Sequence, residues 1–303
     1  MNLITRSDFD GLACASVLKE AGIIDTWTFV HPKDLQDGVI KVTGSDILAN
    51  VPYVPGCAMW FDHHSSEQER VKDVDYKGES RLEKSAARII YEYYGGKEKM
   101  PQLEKMIESV DKVDSADLTI DDIMNPKGWV LLGFIMDPRT GLGRFRDFRI
   151  SNYALMEKLI DECRVRGIDE IIEDHDIKQR IEKYIEQDGL FKEMIGKHTK
   201  TFGNAILTDL RDVTPIYSGN RFMVYALYPE QNISLWVVDG RNKQHAVIAV
   251  GHSILNKTSK TDVGSLLLHH GGGGHKQVGT CQIPYGECDK TLESLIARIK
   301  ADG

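Results

Sequence analysis

Met1-Asn2-Leu3-Ile4-Thr5-Arg6-Ser7-Asp8-Phe9-Asp10-Gly11 opens the chain, and its reading decides the fold. Residues 1–5 read as a short strand around the apolar pair Leu3-Ile4. Ser7 to Gly11 carry the polar and glycine punctuation of a turn, and Leu12 to Ala21 have helical character. The pattern then recurs. Strand-like runs fall at Trp27–Val30, Ile47–Val51 and Ala58–Phe61, and helical patterns at 83–95 and 101–116. Strand and helix in alternation predict an α/β domain with a mainly parallel sheet and helices on its faces. In such sheets ligand-binding residues gather just past the carboxyl ends of the strands. Asp8, Asp10, Asn50 and Asp62 each lie at or just after the end of an apolar run, so they are expected along one edge.

Further along, residues 151–198 are rich in Glu, Lys, Ile and Leu at helical spacing and predict two or three helices. Strand candidates follow at Ala205–Leu207, Phe222–Leu227, Ser234–Val238 and Val247–Val250. A helix is expected at 261–269 and another near 290–300. The expected organisation is therefore two α/β domains joined by helices. Residues 1–150 would be catalytic, 151–200 a helical connector, and 201–303 a smaller mixed-sheet domain that binds substrate. A chain of 303 residues is long enough for two such cores.

Composition narrows the function. The net charge of −8 disfavours broad binding to long duplex nucleic acid or to an anionic membrane, both of which need extended positive surface. No apolar stretch reaches the ~20 residues of a membrane span. The five cysteines are widely spaced with no C-x-x-C, which fits free thiols in a reducing compartment; a cytoplasmic location is expected. No G-x-x-x-x-G-K-[ST] loop is present, so a nucleoside-triphosphate kinase or ligase is not favoured.

Several clusters can carry chemistry. In Ser7-Asp8-Phe9-Asp10-Gly11 two carboxylates at a strand-to-helix turn can face one cation, although an Asp-rich helix cap would look the same. Asp62-His63-His64 leaves an apolar strand, and carboxylate with imidazole suits Mn²⁺, Fe²⁺, Co²⁺ or Zn²⁺ better than Ca²⁺. Asp111 and Asp114 lie three residues apart on one helical face. In His269-His270-Gly271-Gly272-Gly273-Gly274-His275 the glycine amides can form an anion-binding concavity beside His275. Arg139, Arg144, Arg146 and Arg149 fall within eleven residues, and arginine grips phosphate bidentately; a solvated basic loop is the equal alternative. Arg241 and His252 are further candidates of that kind.

Taken together, Asp8-x-Asp10-Gly11, Asp62-His63-His64 and the glycine run ending at His275 resemble the DHH phosphoesterases with their DHH-associated C-terminal domain. Exopolyphosphatase-like and nanoRNase-like members look most similar. The resemblance implies a divalent metal, usually Mn²⁺, at Asp8, Asp10, Asp62, His63 and a later aspartate, Asp111 or else Asp114. It gives His64, with Asp62, a catalytic role toward the substrate phosphate. Gly272, Gly273, Gly274 and His275 would form a phosphate clamp, joined by Arg139 and Arg144, with the substrate in an interdomain cleft. Two positions depart from the family: a common histidine is here Ile4, and a common metal-binding aspartate is here Asn50, which leaves open one metal or two.

The expected function is a metal-dependent phosphohydrolase. Its substrate would be polyphosphate, a short oligonucleotide or a phosphorylated nucleotide, and homo-oligomerisation is left open. The alternative is a catalytically weak protein that binds nucleotide or polyphosphate.

Overall fold

The computed structural model describes residues 1–303 except the side chain of Arg241, so that candidate lies outside the described residues. The chain divides into two compact units. One comprises Met1–Asp117 with Pro126–Tyr184, the other Leu118–Asn125 with Ile185–Gly303.

The first unit holds strands β1 (Asn2–Arg6), β2 (Thr26–Val30), β3 (Asp46–Ala49), β4 (Met59–Asp62) and β5 (Gly78–Ser80). All neighbours pair in parallel, in the order β2-β1-β3-β4-β5. Every residue of β3 and β4 is buried, which is why Ile47–Ala49 and Met59–Phe61 read as unbroken apolar runs. The helix Phe9–Glu20 buries each residue from Phe9 to Leu18 and packs on the helices Ala86–Tyr93, Glu104–Asp114 and Asn152–Val165. A Cβ at Gly11 would stand 1.9 Å from the Arg6 carbonyl oxygen, so glycine alone lets this helix start against the end of β1. Asp8 thus sits just past β1, Asn50 just past β3, and Asp62 ends β4. Ile4 packs instead with Leu48, Val51 and Trp60 in an apolar cluster and is 3 % exposed.

The second unit holds β6 (Thr199–Phe202), β7 (Ala205–Asp209), β8 (Ile233–Asp239), β9 (Ala246–His252), β10 (Gly273–His275) and β11 (Val278–Ile283). Their order is β10-β11-β9-β8-β7-β6. β7 and β8 pair in parallel and the other neighbours antiparallel, so this sheet is mixed. The core of this unit is built from Val237, Ile248, Leu295 and Ile299, the last two from the helix Tyr285–Asp302.

One local expectation is corrected. Phe222–Leu227 is not a strand: Met223–Leu227 is a short helix with Met223, Val224 and Tyr225 buried. Six apolar residues in a row carry no period that separates strand from helix. Asn220 Oδ1 accepts from Phe222 N at 3.0 Å and starts the turn. In the glycine run, Gly273–His275 form β10 against β11. Among the described residues no helix is long and apolar enough to cross a membrane.

Candidate metal centre

Asp8 caps the helix Phe9–Glu20. Its Oδ1 accepts from Gly11 N at 2.9 Å and from Asn50 Nδ2 at 3.1 Å, and its Oδ2 lies 3.0 Å from Arg6 Nε. Asn50 reaches Asp8 from a left-handed backbone, φ 55°. A carboxylate at position 50 would place like charge beside Asp8; the amide supplies a donor instead.

Asp10, in the first turn of the same helix, is 1 % exposed. Its two oxygens accept from the backbone N–H groups of Ala86 at 3.0 Å and Ala87 at 2.8 Å, the first turn of the helix Ala86–Tyr93. A helix N-terminus favours such a carboxylate. Burial nevertheless dominates and, with the Asp8 charge, pushes Asp10 up to about 7.

His63 and His64 follow β4. His63 Nδ1 lies 3.2 Å from the Glu83 carbonyl oxygen. A carbonyl can only accept, so Nδ1 carries the proton and Nε2 presents a lone pair. That Nε2 is buried and has no hydrogen-bond partner. It faces Asp114 Oδ2 at 3.2 Å and Asp10 Oδ2 at 3.9 Å. Asp114 is pushed up to about 7 by burial and by the charges of Asp10 and Asp8. Ligand atoms of Asp10, His63 and Asp114 all lie within 4.8 Å of one another.

Three acceptors aimed at one point, with a buried orphan among them, repel unless something positive stands between them. Ligands each about 2.1 Å from one ion stand roughly 3–4 Å apart, so the spacing fits a divalent cation.

His64 is placed differently. Its Nδ1 lies 3.0 Å from Asp62 Oδ1 and its backbone N donates to Asp62 Oδ2 at 3.2 Å. Asp62 is fully buried while the His64 side chain is 45 % exposed. The hydrogen bond to Asp62 raises the His64 pKa above that of a free imidazole, against the opposing effect of burial. With Nδ1 engaged, Nε2 is the atom left for a ligand.

The structure brings Asp114, not Asp111, to the three-residue cluster. Asp111 Oδ1 accepts from Ser85 Oγ at 2.7 Å, and Oδ2 accepts from Arg88 Nε at 2.8 Å and Nη2 at 2.6 Å. Asp8 and Arg139 line a small cavity with Asp10 and Asp114. Arg139 Nε donates to Asp137 Oδ1 at 2.8 Å, which fixes its fork. Arg144 donates to the Gly141 carbonyl and lies over the Phe145 ring.

In the second unit, Gly272 and Gly274 are required by packing. A Cβ there would stand 2.3 Å from Thr280 O or 2.2 Å from Val278 O. Gly273 has open space where a Cβ would point, and His275 is exposed. His252 Nε2 is engaged by the Thr261 carbonyl at 2.8 Å.

Sequence reasoning did not identify the Glu83 carbonyl or the Ala86 and Ala87 amides. The N-cap pattern at Ser85 was a readable local signal, but its distant partners were not.

No family model and no curated protein sequence matches the chain. Among solved structures it is similar to a pGpG-specific phosphodiesterase, PggH, from Vibrio cholerae. The identity is 46 %, covering 100 % of this chain and 99 % of that one, with a TM-score of 0.89. It also resembles the DHH domain of a protein described as a member of a ribosomal-protein family. Here the identity is 11 %, covering 99 % and 86 % of the two chains, with a TM-score of 0.58. RecJ of Thermus thermophilus, solved with Mg²⁺, is 11 % identical with a TM-score of 0.50; 98 % of this chain matches 49 % of that one. The last two likenesses concern the fold alone.

Proposed function

Because the chain belongs to the DHH phosphoesterases, and so is a metal-dependent hydrolase of phosphodiesters, we propose that its substrate is a short guanine dinucleotide, pGpG, cleaved with Mn²⁺. The observation that carries the metal reading is the buried, unpartnered Nε2 of His63 between Asp10 and Asp114. The likeness to the Vibrio cholerae phosphodiesterase supports the substrate.

Asp10, His63 and Asp114 would hold the cation. Oxygen and imidazole donors without thiolate suit Mn²⁺. A divalent ion held by these residues would supply Lewis acidity and would make water more acidic near neutral pH. The protein's own groups do the rest. His64 offers Nε2 to a phosphoryl oxygen or gives a proton to the leaving 3′ oxygen, while Asp62 holds its ring in place. The Arg139 guanidinium neutralises charge on the phosphate. In the second unit, Gly273 and His275 are assigned to phosphate binding, because backbone and imidazole are both accessible there.

The test is incubation with Mn²⁺ and pGpG, followed by GMP release. GMP should appear, should cease to appear with a chelator, and should form at least ~10-fold slower from pApA. Phosphate release from polyphosphate without hydrolysis of pGpG would overturn the substrate assignment.

The metal reading also fixes a pH dependence. Asp10 and Asp114 have folded pKa values raised from 3.8 to about 7. Their protonated forms therefore support the metal-free fold fully below about pH 4. That support is lost as the pH rises through about 7. A cation in place of the protons removes the penalty. Excess Mn²⁺ should thus raise Tm more at pH 8 than at pH 5; an equal gain at both would count against metal at these carboxylates.

A further inference from the structure

We propose that Asp111 is a positioning residue for the metal centre, acting through Ser85 and Arg88 on all three cluster residues; this deepens the metal reading above and rests on it. The segment Glu83–Arg88 is the hub. At one end, the Glu83 carbonyl accepts from His63 Nδ1 and so aims Nε2. In the middle, the Ala86 and Ala87 amides hold both oxygens of Asp10. Two ligands that come from different elements are therefore oriented by the same short stretch of backbone.

Asp111 locks that stretch. Ser85 is the N-cap of the helix Ala86–Tyr93: its Oγ accepts from Arg88 N at 3.1 Å and donates to Asp111 Oδ1 at 2.7 Å. The Arg88 guanidinium closes on Asp111 Oδ2 through two nitrogens. Ser85 is fully buried and Asp111 is 7 % exposed, so water does not compete effectively for these bonds. Asp111 also lies one turn before Asp114 on the helix Glu104–Asp114. The clamp therefore fixes that helix, and the third ligand with it, against the cradle of the first two. A metal site is this sensitive because its ligands must be held to a fraction of an ångström by their supporting hydrogen bonds.

A buried N-cap with an ion pair could equally serve stability alone, so the test must read metal affinity rather than activity. Mn²⁺ binding to the full chain is measured by the loss of the free-ion electron paramagnetic resonance signal. Ser85→Ala removes both side-chain bonds, and Asp111→Asn removes the charge facing Arg88. Each should weaken Mn²⁺ binding roughly 10- to 100-fold, and Ser85→Thr, which keeps the hydroxyl, should restore most of it. Arg164→Gln, which breaks a separate ion pair with Glu20 in the same unit, is the control for general loosening and should leave the affinity near wild type. If Asp111→Asn does not fold, Ser85→Ala against Ser85→Thr decides alone. A fall in Tm with unchanged Mn²⁺ affinity overturns the proposal. Should His63→Ala also leave the affinity unchanged, the metal reading itself has failed; should His63→Ala abolish binding while the clamp variants do not, only the positioning role falls.

Discussion

Replacing His63 by alanine is expected to abolish turnover of any phosphodiester substrate and to weaken Mn²⁺ binding by more than ~100-fold. Losing a hydrogen-bond partner of a ligand already costs about 10- to 100-fold in affinity, and losing the ligand itself costs more. His63 is the one neutral donor in the cluster, and its Nε2 has no other partner. Without it, Asp10 and Asp114 remain as two carboxylates that burial and nearby carboxylate charge already raise, and both take up protons readily. The variant should still fold, because His63 makes one side-chain hydrogen bond, to Glu83 O, at a part-buried position. Calorimetric titration with Mn²⁺ beside a pGpG assay reads both effects. Wild-type affinity in this variant would remove the metal from this cluster.

His64→Ala is expected to separate the two functions. The His64 ring touches Asp62 and the His63 ring but is absent from the three-residue cluster. Mn²⁺ affinity should stay within about threefold of wild type while kcat falls roughly 10²- to 10⁴-fold, the range expected when a positioned acid is lost. KM should change less than kcat if the hydrogen bond strengthens as the leaving oxygen gains charge. Asp62→Asn should show a weaker form of the same defect, since the ring loses its anionic partner but keeps its place in the chain. Joint loss of metal and activity in His64→Ala would instead place this ring among the ligands.

Much of this centre was legible in the chain. The turn Ser7–Gly11 between a strand and a helix set Asp8 and Asp10 at a strand end, and Asp62-His63-His64 left another strand at the same edge. Both follow from local rules: apolar runs make buried strands, and a parallel α/β sheet delivers its loops to one side. Gly11 was legible as the glycine of a tight turn, and the structure adds the reason, the close approach of the Arg6 carbonyl. The family resemblance carried the metal and the chemistry.

Other parts were not legible, for identifiable reasons. Asp111 and Asp114 share one helical face, and spacing cannot say which of two such residues meets Arg88 and which meets His63. That depends on how the helix Glu104–Asp114 is rotated against the helix Ala86–Tyr93. Phe222–Leu227 lacked a period, so its helical turn was decided by burial and by the Asn220 side chain that holds the preceding turn. The hub at Glu83–Arg88 holds nothing that reads as catalytic, because its work is done by a carbonyl and two amides that every residue possesses. The sequence by itself determined which elements form and which carboxylates and imidazoles they deliver to the strand ends, because those are set by local pattern. Only the tertiary structure decided which of those groups face one another and which are engaged elsewhere, because that depends on donors from distant elements reaching some of them and not others.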